Sequence, residues 1–562
     1  HNLIVMAGFN YETQYRKDIE AYGKNLISDE LSDLNLVVPN SDGVLETAVY
    51  GGQSEYALAG FFGRVNYDYK GRYLIEISGR YDGTSRFAKG SRWGLFPSVS
   101  AGWRISEEDF FAPAKAYVDN LKLRLSYGSL GNQNVGYYDY IRTISIKDFA
   151  AFYFKEGASM GKYTQISSPN SPSLTWETSN QYNVGFDLSM LGNRLEATIE
   201  GYIRDTKDML TTGKALPSIY GATEPKTNSA DLRTSGFEIS IGWRDQFDIA
   251  GLPFGYNIKG TLSEYKSVIT KFDNPNKTFA MAYYEGMEIG EIWGFEVNDL
   301  FATDEEALEY TSRVDQSYCG ANLKGGWMAG DLKYEDLPTV DTDGDGIPDA
   351  GDGEISVGSN TVDNPGDRKI LGNYLPSLQY GINIGFDIAG FDVSAFFQGT
   401  GNHHWYSAPL FFGFWGPYSY AYNSFIPKNF MDNVWSEENP DAYFPRPRSN
   451  QASNSTAQLG RINSRYLQNL RYLRFKNLTV GYSLPEKVVK AAHLQSVRFY
   501  FSGENLCYWS PLKKVTKYLD PEAAYKYSAW SKTYGVDGSN KDMAGGYYPW
   551  QKTFTFGVDI TF

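Results

Sequence analysis

The chain closes with "TFTFGVDITF", residues 553–562, in which Phe554, Phe556, Val558, Ile560 and Phe562 alternate with Thr553, Thr555, Gly557, Asp559 and Thr561. Successive strand side chains point to opposite faces, so this stretch reads as a strand that is apolar on one side and polar on the other. The same alternation recurs along the whole chain. In "GRVNYDYKGRYLIEISGRYDGTSRF", Val65, Tyr67 and Tyr69 oppose Arg64, Asn66 and Asp68. After Lys70-Gly71, the residues Tyr73, Ile75, Ile77 and Tyr81 oppose Glu76, Ser78, Arg80 and Asp82. Further alternating runs surround Trp93–Ile105, Leu121–Tyr127, Val184–Ile203, "GFEISIGWR", "GYNIKGTLS", "LQYGINIGFDIAGFDVSAFFQG", "NLRYLRFKNLTVGYSLP" and "SVRFYFSGEN". Roughly fifteen segments follow this scheme, several longer than the ~5–6 residues usual in soluble strands.

Length and polarity turn this pattern into a fold class. Ten strand residues tilted by ~45° span a little over ~20 Å, close to the ~25 Å apolar band of an outer-membrane barrel. The polar faces carry Arg, Lys, Glu and Asp strand after strand, which a water-filled lumen accommodates and a dry sandwich core does not. Tight turns at Lys70-Gly71, "LGNR" and "IAGF" alternate with long connections near 15–54, 132–179, 272–285, 302–377, 401–465 and 507–550. Short turns on one rim and long loops on the other are the barrel signature. The expected fold is all-β, a transmembrane antiparallel β-barrel occupying 1–562. Val65, Tyr67, Ile75, Val99, Leu123, Phe186, Ile199, Ile239, Ile384, Val480 and Phe556 are expected to face lipid.

Composition agrees. Aromatics make up 16% of the 562 residues, with 44 Tyr and 57 Gly, a vocabulary suited to strands whose rings have one wet end. Mean hydropathy is −0.43, and no run approaches the ~18 apolar residues of a spanning helix. The net charge of −14 argues against nucleic acid, which calls for a basic stripe. Cys319 and Cys507, the two cysteines, lack metal-ligand spacing and are expected to be unpaired thiols.

Several stretches taken in order resemble the SusC/RagA family of TonB-dependent outer-membrane transporters. They are "GRVNYDYKGRYLIEISGRYDGTSRFA" with "RWGLFPSVSAGWRISEE", "LTWETSNQYNVGFDLSML", "GDLKYEDLPTVDTDGDG", "DRKILGNYLPSLQYGINIGF", "NLRYLRFKNLTVGYSLP" and "GENL…YLDPEA". The resemblance implies the C-terminal part of a 22-stranded barrel whose plug domain, TonB-contacting segment and first strands lie outside this chain. An unpaired sheet edge is not tolerated in lipid, so the remaining strands must be supplied from that N-terminal region. It also implies import of oligosaccharides across the outer membrane of a Gram-negative bacterium, driven through the TonB complex and capped by a SusD-like lipoprotein. Oligopeptides are the alternative cargo, and a non-transporting barrel such as an adhesin or a barrel enzyme is the alternative class. The aromatic Phe562 is expected to serve as the terminal signal that membrane-assembly machinery reads.

Three groups of residues are candidates for chemistry. In "VDTDGDGIPDAGDGEIS", Asp341, Asp343 and Asp345 with Gly346 match positions one, three, five and six of a calcium loop. Ile347 would offer its carbonyl, Asp349 a direct or water-mediated contact, and Asp352 or Glu354 the closing carboxylate. Pro348 and the short Asp352 depart from a helix-flanked calcium hand, so a structural calcium clip is expected, against a plain solvated acidic turn. Trp405, Phe411, Phe412, Phe414, Trp415, Tyr418, Tyr420 and Tyr422 crowd one long loop. They would contact cargo or the lipoprotein lid if exposed, or pack on one another as the loop's own core. His403 and His404 lack a third ligand and are not read as a metal site. Arg64, Arg80, Arg104 and Arg124 lie on lumen faces, where they would meet substrate or pair with Asp82, Glu76 and Asp187. No nucleophile elbow, phosphate loop or other catalytic constellation is present, so an enzyme is not expected.

Overall fold

The computed structural model describes residues 1–28, 30–148, 162–166, 169–213, 216–217, 219, 224–320, 323, 325–408, 411–418, 428–448, 457–516, 519–524 and 550–562. Among the described residues, fourteen strands join one sheet in which spatial order follows chain order. They are β1 (Asn2–Gly23), β2 (Thr47–Tyr69), β3 (Tyr73–Thr84), β4 (Trp93–Arg104), β5 (Val118–Asn132), β6 (Glu177–Met190) and β7 (Leu195–Thr212). β8 (Lys226–Ile249), β9 (Leu252–Lys271), β10 (Leu378–Ile388), β11 (Phe391–Thr400), β12 (Tyr472–Ser483), β13 (Ser496–Trp509) and β14 (Thr553–Thr561) follow. Among the described residues, no helix is long and apolar enough to cross a membrane.

Consecutive antiparallel neighbours force the connections onto alternating rims. One rim carries 70–72, 105–117, 191–194, 250–251, 389–390 and 484–495; the other carries 24–46, 85–92, 133–176, 213–225, 272–377, 401–471 and 510–552. The tightest turns are Ala250-Gly251 (φ 52° and 81°) and Ala389-Gly390 (φ 54° and 85°). Two successive left-handed residues match the right-handed twist of the flanking strands, which is why a two-residue connection suffices there.

Register shows how the alternation is used. Tyr256, Phe386, Val393, Val480, Phe501 and Phe556 pair in series across β9–β14. One residue further along, Asn257, Gly385, Ser394, Thr479, Ser502 and Thr555 form the next row. Directly paired residues share a face and adjacent rows oppose it, so each face of the sheet is chemically continuous. In β1–β3 the rows Val5–Val65–Ile77 and Phe9–Phe61–Tyr81 repeat the apolar side.

One boundary differs from the sequence expectation. The connection placed at 15–54 is shorter than that: β1 and β2 pair from Asn2↔Asp68 to Gly23↔Thr47, so 15–23 and 47–54 are strand and 24–46 is the loop. Residues 12–18, "ETQYRKD", are polar on both faces. Backbone pairing continues where both faces are wet, but the period-two hydrophobic signal does not.

Contacts group the chain into two compact units, His1–Gly102 with Ser126–Tyr182 and Asp205–Asp231, and Trp103–Leu125 with Asn183–Arg204 and Leu232–Phe562. The first has a small core of Phe87, Phe96, Val135, Leu174 and Trp176, with the Trp176 indole donating to the Arg92 carbonyl at 2.9 Å. The second has a much larger core, and every buried member of it belongs to the connections 272–377, 401–471 and 510–552. The apolar sheet face, by contrast, is open: Phe556 is 80% exposed and Ile199 48%.

Candidate functional site

The long-loop rim of the second unit folds as a structure in its own right. Short ladders tie it together: Glu291–Phe295 with Arg368–Asn373, Val297–Leu300 with Leu332–Tyr334, and His404–Trp405 with Gln468–Asn469. Aromatic rings fill the space between them. Trp405, Phe411, Phe414, Trp415 and Tyr418 are each at most 4% exposed. Phe414 stands edge-on to Trp405 at 5.3 Å and to Trp415 at 4.8 Å. The Trp415 indole donates to the Ala408 carbonyl at 3.1 Å, and Tyr406 donates to the Leu459 carbonyl and accepts from the Asn463 amide, both at 2.8 Å. Burial of these phenols drives the Tyr406, Tyr418, Tyr443 and Tyr466 hydroxyls well above their ordinary range, so they remain neutral donors.

This corrects the expectation of a partner-facing aromatic surface. Rings that shed water against one another leave no face for cargo or lid, and Trp405, Phe411, Phe414, Trp415 and Tyr418 are the loop's own core. Phe412 lies in the helical turn Phe412–Trp415, but its side chain is outside the described ones; Tyr420 and Tyr422 fall outside the described residues.

Charge holds the same rim to the sheet. Arg474 on β12 meets Asp520 at 2.6 Å and Glu522 at 3.0 Å, and Lys476 meets Glu522 at 2.8 Å. The Arg474 side chain is 2% exposed and its guanidinium lies 4.7 Å over the Tyr508 ring. Nothing in the local pattern announced this clasp, because Arg474 and Lys476 find Asp520 and Glu522 only where distant segments meet. A second buried pair, Arg448 with Asp331, is joined by the Gln458 amide at 3.1 Å. His403 is 4% exposed, and desolvation lowers its pKa to about 4, with His404 adding to the effect.

The acidic loop is partly assembled. Ligand atoms of Asp341, Asp343 and Asp345 lie within 4.8 Å of one another. Gly344 and Gly346, at φ 79° and 87°, aim their amides at the Asp341 carboxylate at 2.7 and 2.8 Å. Those amides hold the Asp341 carboxyl below the usual carboxylate range. Among the described acidic residues, that trio is the group that converges. Asp349 accepts from the Thr342 amide and hydroxyl at 3.0 and 2.8 Å, Asp352 accepts from the Glu354 amide at 2.9 Å, the backbone of Glu354 bridges to Asp315, and Ile347 has an exposed side chain.

On the polar face, Arg80 meets Asp82 at 2.9 Å and Asn10 at 3.0 Å. Arg124 meets Asp187 at 2.9 Å and Glu200 at 3.0 Å. Arg64 and Arg104 are exposed. Cys319 is buried, Cys507 is exposed, and both are free thiols. Phe562 follows β14 with its ring 84% exposed.

A sheet with one apolar and one polar face, tight turns on one rim and a self-packed loop assembly on the other defines a β-barrel of the outer-membrane kind. Residues 2–327 match the model of the TonB dependent receptor-like, beta-barrel family, and the chain belongs to that family. TonB-dependent receptor P3 of Formosa agariphila is 28% identical over 577 residues, covering 100% of this chain and 51% of that protein. TonB-dependent receptor SusC of Bacteroides thetaiotaomicron is 26% identical over 526 residues, covering 91% of this chain and 44% of that protein. Among solved structures, the RagAB peptide transporter superposes with a TM-score of 0.72 at 20% identity, covering 100% of this chain and 53% of the other. The chain thus spans about half the length of these relatives.

Proposed function

We propose that this chain is the C-terminal barrel portion of an importer that carries oligosaccharides across the outer membrane, powered through TonB and capped by a SusD-like surface lipoprotein. The family match over residues 2–327 supports the TonB-dependent outer-membrane part of the reading. The asymmetry of the rims supports it: long, internally packed connections on one side suit a mouth that receives a large solute, and tight turns suit the opposite side. In this reading the plug, the TonB-contacting segment and the strands that pair with the free edges of β1 and β14 come from the region absent from this sequence. Import of oligopeptides by the same mechanism is the second reading, favoured by the likeness to the RagAB peptide transporter in fold.

A calcium ion at the acidic loop is part of the proposal. Three carboxylates converge as hard oxygen donors, and calcium takes six to eight such ligands at 2.3–2.6 Å. Asp341, Asp343 and Asp345 would hold it, stiffening the tip of the 272–377 connection, with no role in a chemical step.

The test is uptake by cells carrying the full-length gene and its neighbours. Energy-dependent accumulation of neutral oligosaccharides, abolished when TonB is deleted, is the expected result. Accumulation of peptides instead would establish the second reading, and TonB-independent behaviour with both cargoes would overturn import altogether.

A further inference from the structure

Where the sheet meets the long-loop rim, β9 changes its backbone partner. The Tyr265 amide donates to the Ser377 carbonyl at 3.3 Å, just before β10 begins, whereas the Ile289 amide donates to the Ser267 carbonyl at 2.8 Å. The stretch around Ile289 thus takes the place beside β9 that β10 holds further down. A cavity of about 680 Å³ lies at this junction, between β8, β9 and the 272–377 and 401–471 connections.

The charged strand residues of the cavity belong to the apolar face of the sheet. β9 and β10 pair without a shift from Phe254↔Ile388 to Glu264↔Leu378. Glu264 therefore shares a face with Tyr256, Ile258 and Leu262, and Lys266 follows two residues on. Phe237 and Ile370 also line the cavity and are 37% and 54% exposed. The site begins one row beyond Leu262 and Tyr380, on the side of the wall that faces lipid.

Its charge is lopsided. Lys266, the one lysine or arginine among the described lining residues, is already paired with Glu288 at 2.9 Å. Glu291 is buried and accepts from the Trp293 indole at 2.8 Å and from the Glu288 amide at 3.2 Å. Glu264 has the side-chain amide of Asn402 at 3.3 Å. At neutral pH His404 adds no cation, because burial lowers its pKa from the ordinary imidazole value.

We propose that this cavity holds the headgroup of an outer-leaflet lipid bearing a primary ammonium, whose chains lie on the apolar face at Ile258, Leu262 and Tyr380. The proposal rests on the membrane-spanning barrel and is independent of the cargo. Long loops mark the exterior rim of such a barrel, so the headgroup layer at this height is that of the outer leaflet. A primary ammonium offers three N–H donors, and the Glu264 and Glu288 carboxylates accept them. Charge-assisted hydrogen bonds are the strong ones, the more so in a site walled from bulk water. A quaternary ammonium brings the same charge without an N–H. An anionic headgroup meets Glu264 and Glu288 with like charge.

The experiment is native mass spectrometry of the full-length protein in mild detergent, native or carrying Glu264→Gln or Glu264→Lys. Each is offered two matched sets: phosphatidylethanolamine with phosphatidylcholine and phosphatidylglycerol, and lipid A with and without a phosphoethanolamine group. Heat-modifiable migration on gels checks assembly. The expected result is that the native protein retains the amine-bearing member of at least one set roughly five- to tenfold over its partners. The set that shows the preference identifies the source of the headgroup. The preference should vanish in Glu264→Gln, and Glu264→Lys should favour phosphatidylglycerol. Equal retention within both sets by the native protein overturns the proposal without recourse to a variant. So does a preference that survives in both assembled variants, and so does a lipid-free dimer, which would give the cavity to a second copy of the chain.

Discussion

The strands and the long-loop rim use the same aromatic and aliphatic residues in opposite ways. On the sheet, Phe556, Ile199 and Val65 are 80%, 48% and 39% exposed, because the apolar face has no protein layer over it. In the rim, Trp405 and Trp415 are 1% and 0% exposed, because the three connections enclose one another. A barrel wall needs only alternation, repeated strand by strand. The rim needs a particular set of rings, ladders and ion pairs to meet from distant parts of the chain, much as a small globular domain does. The two regions therefore differ in what breaks them.

The largest effect is expected from Trp415→Ala. Removing a fully buried Trp costs ~3–5 kcal/mol, and the loss should fall on the rim alone. Hydrogen exchange should show the 272–377 and 401–471 connections opening while strand amides stay protected; loss of barrel assembly would show that the regions are not separable. Ile199→Arg inverts the comparison. An arginine on the lipid face near the bilayer midplane costs ~2–4 kcal/mol, so folding into vesicles should weaken while rim exchange stays native. An unaltered folding equilibrium would mean that Ile199 faces water.

Acid sharpens the contrast. His403 is buried and neutral in the fold, with its pKa lowered from 6.5 to about 4. The unfolded chain therefore binds more protons between these values, and stability is lost as pH falls from about 6.5 towards 4. At pH 5 the linkage amounts to about 2 kcal/mol. Asp367, raised to about 6 chiefly by burial, acts in the opposite sense, since its folded form favours the proton. His403→Gln should remove the acid-sensitive component from rim unfolding, and an unchanged pH profile would contradict the assignment. The smallest effect concerns the helix Asp304–Thr311, whose N-cap Thr303 accepts from the Glu306 amide at 3.1 Å. Thr303→Ala should cost about 1 kcal/mol, read as faster exchange of that helix only.

Legibility followed the same division. The strand segments from Val65 to Phe556 were readable because period two is a local property: each residue's face is fixed by its neighbours in sequence. Reading failed along β1 at residues 12–18, where the strand continues with both faces largely polar and the pattern carries little hydrophobic contrast. The trio Asp341, Asp343 and Asp345 was readable because alternate carboxylates around Gly344 and Gly346 converge within one turn. Asp349, Asp352 and Glu354 were assigned by spacing alone; Asp349 and Asp352 accept from Thr342 and from the Glu354 amide, and the Glu354 backbone is drawn to the distant Asp315.

What the sequence determined by itself is the sheet: an all-β chain, its two faces, its alternating turns and its family. Those follow from short-range rules that hold wherever the residues sit. Only the tertiary structure decided the fate of Trp405, Phe411, Phe414, Trp415 and Tyr418, since an aromatic loop reads the same whether its rings face a partner or one another. Their burial depends on Phe444, Leu459, Tyr466 and Leu512 arriving from other stretches and other connections. Likewise Arg474 became a buried clasp only because Asp520, 46 residues along the chain, and Glu522 return to it. Long-range closure of this kind has no local signature, because the free energy that fixes it is gained only when the separated segments meet.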